Sequence, residues 1–442
     1  SMIDIELIRE EPEKVREGLE RRQEDPDLVG AIREVDEEWR ESKQEADTAR
    51  MRHNEVTDKI EELVQKGGNP DELIEEASEL KEEVDEMEEK SEQLKERRDE
   101  LLLKIPQVPK DNVTVGEDED DNAEIMRNGF EELRELPDSV IPHYELGEDN
   151  NWIDEERARK TTGSGNYFLK GDVARLEHAL VQFMMDVHRK QGYTDIFPPI
   201  TVRSHSMEGT AQLPKFSDDS YKIEDEDLWL CPTAEVPVTN MYREEIIDTD
   251  SLPIKHQAYT PNFRREAGEH GTETRGIARV HQFNKVELVR FVEPDDSYEH
   301  MYGILEDAEE ILNRLELPYR QLELCTGDLG FKATKQIDLE VWAPGTDTED
   351  GPDQGGRWLE VSTVSNFEDF QARRMDLRFR EKRNEETEYL HTLNGSGLAL
   401  PRVVIAILEY YQNDNGTVEV PQALRNYINK DVLEPSEDVK NN

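Results

Sequence analysis

Residues 262–283 read Asn262-Phe263-Arg264-Arg265-Glu266-Ala267-Gly268-Glu269, a polar connector, then Arg275-Gly276-Ile277-Ala278-Arg279-Val280-His281-Gln282-Phe283. This is the pattern of two strands joined by a polar loop. Such a pair can hold Arg264 and Arg279 over a polyphosphate, because guanidinium is a permanently charged fork matched to phosphate oxygens. Glu266, acceptor-only when ionised, can take a hydrogen bond from an exocyclic amine, and Phe283 offers a stacking face. By themselves these residues leave two readings open: a nucleotide-polyphosphate site, or a salt-bridged strand pair on an exposed surface.

Outward from this pair, short β-rich runs recur at Leu228–Leu230, Ile254–Tyr259, Lys285–Phe291, Gln321–Cys325, Ile337–Trp342 and Trp358–Val361. Helical periodicity appears at Leu176–His188, Tyr298–Leu315 and Val403–Gln412. Hairpin-length strands with interspersed helices predict an α+β fold on an antiparallel sheet over 151–442. Residues 106–150 read as a linker with short elements, including the acidic run at 117–121.

The N-terminal quarter has a different period. Residues 1–26 read as a short amphipathic helix built on Ile3, Ile5, Leu7, Ile8, Val15 and Leu19. From Leu28 through Ile32, Val35, Trp39, Ser42, Ala46, Ala49, His53, Val56 and Ile60 to Leu63, spacings of four and three alternate, which is an a/d seam. Gly67-Gly68-Asn69-Pro70 breaks it, and a second seam runs from Leu73 to Leu101. Residues 1–105 are therefore expected to be a helical unit whose residues 28–104 form an antiparallel coiled-coil hairpin. At 1.5 Å per residue the hairpin is roughly 50 Å long. Either it projects from a globular body or it is a dimerisation coiled coil.

Lys and Arg number 54 and Asp and Glu 105, for a formal charge of −51 over 442 residues. Only 34% of residues are hydrophobic and 36% are charged, which alone suggests disorder. The 5 Trp, 13 Tyr and 12 Phe, mostly in patterned segments, oppose that reading. The acidity is spread along the chain, as on a surface adapted to concentrated salt, where the Debye length falls to about 3 Å at 1 M. No run approaches the 18 apolar residues of a spanning helix, and no secretory h-region is evident. Cys231 and Cys325 are the only cysteines, too few for a disulfide scaffold, so a reducing cytoplasm is expected. There is no GxxxxGK[ST], GxGxxG after a strand, HExxH or CxxC.

The stretch at 262–283 resembles motif 2 of class II aminoacyl-tRNA synthetases, and nearly the whole chain is similar to the seryl-tRNA synthetase family. Gly192-Tyr193 through Phe197-Pro198-Pro199-Ile200 resembles motif 1, and Asn394-Gly395-Ser396-Gly397-Leu398-Ala399-Leu400-Pro401-Arg402 resembles motif 3. Pro232-Thr233-Ala234-Glu235 and Glu360-Val361-Ser362-Thr363 resemble signatures of the serine enzymes. The resemblance implies a class II catalytic domain at 151–442, with motif 1 placing a homodimer interface. It implies activation of L-serine by ATP to seryl-adenylate and transfer to the 3′ end of tRNA(Ser), and of tRNA(Sec) where present.

The site residues it implies are as follows. Arg264, Arg279 and Arg402 are catalytic. ATP meets Arg264, Arg265, Glu266, Arg279, Val280, Phe283, Glu360, Val361, Ser362, Thr363 and Arg402, with Phe283 and Arg402 sandwiching adenine. Serine meets Thr233, Ala234, Glu235, Arg264, Glu287 and Ser396. Mg²⁺ is held by Glu360 and Thr363, and no zinc is expected. Thr363-Val364 and Phe367 depart from the usual Ser-Cys and Cys, and Pro401-Arg402-Val403 from the usual Gly-Arg-Thr. Thr363 keeps its hydroxyl and Pro suits a helix start.

The family grips the long variable arm of tRNA with its hairpin. Residues 71–104 here carry 15 acidic and 6 basic side chains, a poor electrostatic footprint for RNA. A basic stripe of Arg50, Arg52, Lys59, Lys95, Arg97 and Arg98 is the candidate contact surface. Two other readings are a synthetase-like ligase that loads an amino acid onto a non-tRNA carrier, and a non-enzymatic coiled-coil scaffold.

Overall fold

A computed structural model describes residues 3–267, 275–383 and 385–440. The chain divides into two compact units, one up to Val108 and one from Pro109 onward.

In the first unit, two short helices, α1 (Ile5–Glu10) and α2 (Pro12–Arg21), replace the single expected one. Pro12 lacks an N–H to continue α1 but suits the first turn of α2. The heptads form α3 (Asp27–Gln65) and α4 (Asp71–Leu102), packed on each other over their length. Ile32, Val35, Ser42, Ala46, Ala49 and Val56 of α3 are buried, as are Leu80, Val84 and Arg98 of α4. All sit at seam positions. Toward the turn the seam residues Ile60, Leu63 and Leu73 are only half-buried.

The second unit is built on an eight-stranded sheet. In chain order its strands are β1 (Ala123–Asn128), β2 (Thr194–Ile196), β3 (Ile254–Phe263), β4 (Gln282–Val292), β5 (Tyr319–Glu323), β6 (Lys335–Ala343), β7 (Arg357–Asn366) and β8 (His391–Ala399). They lie in the order β1-β5-β6-β7-β8-β4-β3-β2. All pairs are antiparallel except β2 with β3. Three helices, α5 (Gly171–Lys190), α6 (Ser297–Arg314) and α7 (Leu400–Tyr410), supply Leu180, Phe183, Ile304, Ile311, Val404 and Ile407 to one core. Strand residues Val286, Leu288, Ile337, Leu339 and Val341 join that core. Burying each such side chain contributes about 1.5–3 kcal/mol. The alternate residues, among them Lys285, Glu287, Asp338 and Glu340, face the other way, because a strand repeats every two residues.

Residues 106–150 are not a free linker. β1 pairs with β5 at the sheet edge, Ala123 opposite Glu323. Phe130, Leu133, Leu136 and Ile141 pack on the main core, and Arg134 donates to the Tyr410 and Gln412 carbonyls. Apolar residues too irregularly spaced to show a period nonetheless bury a continuous apolar strip.

Candidate active site

The sheet face opposite the helices carries a cleft of about 340 Å³. Its nucleotide-like half is built at the end of the β3–β4 pair. The Arg264 N–H donates to the His281 carbonyl at 2.9 Å, pinning the two chains where the ladder ends. The Arg264 guanidinium lies 5.1 Å from the Phe283 ring centroid, and Nε donates to the Pro232 carbonyl. The backbone at Glu266 is left-handed, and its carboxylate lies 3.8 Å from Arg279. Gly268 and Glu269, part of the expected motif, lie outside the described residues.

The returning chain is anchored from behind. The Ile277 N–H donates to His143 Nε2 at 3.2 Å, so Nδ1 carries the proton and donates to Glu409 Oε2 at 3.0 Å. Gly276 is left-handed, and a Cβ there would lie 2.0 Å from His143 Nε2, so only glycine fits. Arg402, in the first turn of α7, ties this chain to β7. Its Nε donates to the Ala278 carbonyl, and Nη1 donates to the carbonyl and carboxylate of Glu360.

Glu360 and Thr363 are three apart, which on a regular strand points them to opposite faces. A register shift between β6 and β7, with Glu340 opposite Glu360 but Leu339 opposite Ser362, inserts one residue and brings them together. The Thr363 hydroxyl donates to Glu360 Oε1 at 2.7 Å. Beside them Asp338 has one buried oxygen without a hydrogen-bond partner. Burial, then the charge of Glu360, pushes its carboxyl well above the ordinary range. Hard oxygens with an unmet buried acceptor fit a cation such as Mg²⁺, which takes one or two protein carboxylates and leaves its other positions to water and phosphate. Among the described residues no group of three or more His, Cys, Asp and Glu side chains is arranged to hold a metal alone.

The second half of the cleft is polar and nearly buried. The Lys285 ammonium donates to the Thr233 hydroxyl at 3.0 Å and pairs with Glu287 at 2.9 Å. Burial pushes the Glu287 carboxyl up, and Lys285 opposes that. Lys332 pairs with Glu235 at 2.6 Å. Asn394 and Ser396 of β8 line the cleft, while Gly395 and Gly397 alternate with them. A Cβ at Gly395 would lie 2.6 Å from Ile304, and one at Gly397 2.4 Å from His188, so these glycines let α6 and α5 approach.

Comparison with known proteins identifies this arrangement. Residues 220–411 match the class II tRNA synthetase core domain (G, H, P, S and T), and residues 2–109 match the seryl-tRNA synthetase N-terminal domain. The serine–tRNA ligase of Haloarcula marismortui is 59% identical over 99% of this chain and 98% of its own, and that of Halorubrum lacusprofundi is 61% identical over 97% and 96%. The chain belongs to the seryl-tRNA synthetase family. The seryl-tRNA synthetase of Pyrococcus horikoshii, solved in complex with ATP, superimposes with a TM-score of 0.88 at 37% identity, covering 98% of this chain and all of that one.

In this synthetase, Arg264, Glu266, Arg279, Val280, Phe283, Glu360, Thr363, Arg402, Thr233, Glu235, Glu287 and Ser396 all line the one cleft. Four expected residues do not. Arg265 is exposed and donates to the Asp218 carbonyl. Ala234 and Val361 are buried in apolar clusters, and the Ser362 hydroxyl donates to the Ser396 carbonyl. Adjacency in sequence placed them on the wrong face of strand or turn. Phe283 and Arg402, expected to sandwich adenine, both border the cleft, and the Arg264 guanidinium lies beside the Phe283 ring. Sequence reading missed Lys285, Lys332 and Asp338. The alternation of polar Gln336, Asp338 and Glu340 with apolar neighbours was the available signal for Asp338.

Of the basic stripe, Arg52, Lys59 and Arg97 are exposed, Lys95 is half-buried, and Arg50 is paired with Glu88 across the hairpin. Arg98 is corrected. It is 9% exposed, bonded to Asp36 and Asp99, and stacked 4.3 Å from the Trp39 ring centroid. Its charge is used inside the hairpin. No helix among the described residues is long and apolar enough to cross a membrane.

Proposed function

We propose that the protein, as a homodimer, activates L-serine with ATP and transfers it to the 3′ end of tRNA(Ser), and of tRNA(Sec) where present. The supporting observation is the single cleft that joins an Arg–Glu–Phe half suited to a nucleotide with a hydroxyl-and-carboxylate half suited to a small polar amino acid. In the first step a serine carboxylate oxygen attacks the α-phosphorus, the bond to the bridging oxygen breaks, and pyrophosphate leaves. In the second, the terminal ribose hydroxyl attacks the acyl carbon and loses its proton as AMP leaves. Neither step requires a protein nucleophile. Cys231, two residues before Thr233, is buried in an apolar cluster, and burial pushes its thiol up to about 11, so it stays protonated.

Arg264 is assigned to the α-phosphate and the serine carboxylate, Glu266 to the adenine amine, Arg279 to the γ-phosphate, and Phe283 and Arg402 to the adenine faces. Preorganised charge of this kind lowers the barrier without a reorganisation cost. Glu360 and Thr363 would hold Mg²⁺, which when bound neutralises the departing pyrophosphate. Thr233, Glu235, Glu287 and Ser396 orient serine. Buried polar groups built for a hydroxyl reject an analogue lacking it by up to roughly 10⁴–10⁵. The test is serine-dependent ATP–pyrophosphate exchange in about 2–3 M KCl, a range suited to the acidic surface, followed by charging of tRNA(Ser). Exchange and charging together support the assignment. Exchange without charging favours a non-tRNA acceptor, and no exchange by a folded dimer overturns catalysis.

A further inference from the structure

Lys332 is the least expected charge in the cleft. It lies in the loop before β6, and its side chain is 15% exposed. Its ammonium donates to Glu235 Oε1 at 2.6 Å and to the Thr210 carbonyl at 2.9 Å, and sits 5.0 Å from the Phe367 ring centroid. The Gln371 amide donates to the same Oε1 at 2.6 Å. Gln371 cannot turn round, because its own Oε1 accepts from the Thr392 hydroxyl at 2.7 Å. Both donors thus converge on one oxygen of Glu235, and among the described residues no donor meets Oε2. A carboxylate clamped through one oxygen presents the other in a fixed direction. With Lys285 paired to Glu287 across the same pocket, two carboxylates face two ammonium groups, so the pocket selects by geometry rather than by net charge.

Resting on the serine assignment above, we propose that Lys332 is a positioning and specificity residue. It aims Glu235 at the amino acid, and with Phe367 it walls the pocket against side chains larger than that of serine. Removing its ammonium leaves a nearly buried carboxylate with one partner fewer, free to turn away from the amino acid.

The experiment measures ATP–pyrophosphate exchange in molar KCl with L-serine, L-threonine and ATP each varied, for wild type, Lys332→Met and Lys332→Gln. Lys332→Met is expected to raise the serine KM about tenfold and to narrow the serine-to-threonine ratio of kcat/KM about tenfold, with the ATP KM within about twofold. Lys332→Gln keeps a donor to Glu235 and is expected to return the serine KM to within about threefold of wild type. A serine KM within twofold of wild type in Lys332→Met overturns the proposal, as does a parallel rise in the serine and ATP KM in both variants. If Lys332→Met does not fold, Lys332→Gln decides: it keeps the donor to Glu235, but its shorter side chain draws back from the pocket wall, so a serine-to-threonine ratio of kcat/KM unchanged from wild type overturns the specificity role. Absence of serine-dependent exchange in the wild type brings down the serine assignment itself, a distinct result.

Discussion

Glu177 of α5 is 5% exposed, receives one hydrogen bond from the Asn284 amide, and has a second oxygen with no partner. Burial pushes its carboxyl from 4.5 up to about 7. Below pH 4.5 both folded and unfolded chains hold the proton. Between 4.5 and 7 only the unfolded chain releases it, so stability falls across that window and stays low above it. Glu177→Gln is therefore expected to gain roughly 3 kcal/mol at pH 8 and almost nothing at pH 4. Denaturant unfolding in molar KCl at the two pH values checks this, and an equal gain at both would refute the ionisation account. At this scale the site was half legible. Arg264, Glu266, Glu360 and Arg402 stand out because their residue types and order are unusual together. Lys332 and Gln371 do not, because they lie 97 and 136 residues from the Glu235 they hold, and no local pattern links them.

Among elements, the hairpin was the most legible, since a heptad spacing states which residues meet. Its ionic base was not. Asp36, 1% exposed, is not on the apolar seam, yet it bonds Arg9 through both oxygens and also meets Arg98. Burial pushes the Asp36 carboxyl up, but the bonds and charge of Arg9, with Arg98, outweigh that and hold it below its ordinary 3.8. Its contribution is thus present above about pH 4 and fades as pH falls through the lower folded value. Asp36→Asn is expected to cost the first unit about 1–3 kcal/mol at pH 7, because Arg9 loses its two-oxygen carboxylate partner and Arg98 keeps only Asp99. Helical circular dichroism against denaturant measures it. β8 was missed as a strand because Gly395 and Gly397 look like a loop. Glycine weakens a strand, but here it admits two helices, and packing overrides propensity. For RNA, reversing exposed Arg52, Lys59 and Arg97 to Glu is expected to lower tRNA charging about tenfold or more and leave exchange within twofold. Equal loss of both activities would contradict a separate RNA-gripping role for the hairpin.

Across the whole molecule the charge of −51 dominates. The Debye length grows from about 3 Å at 1 M to over 10 Å below 0.1 M, so self-repulsion grows as salt is removed. The unfolding midpoint is expected to rise by roughly 10 °C or more from 50 mM to 3 M KCl, and a flat response in scanning calorimetry would show that the acidic surface is incidental. The sheet edge has a consequence in time as well as in space. Ala123 of β1 meets its partner Glu323 about 200 residues later along the chain. At 5–20 residues per second, a ribosome exposes β1 for roughly 10–40 s before β5 has been made. During that interval it is an unpaired strand with Ile125 outward, able to template a neighbouring nascent chain. Glu124 and Arg127, which pair with each other, put charge on both sides of that isoleucine and act as gatekeepers until the sheet closes.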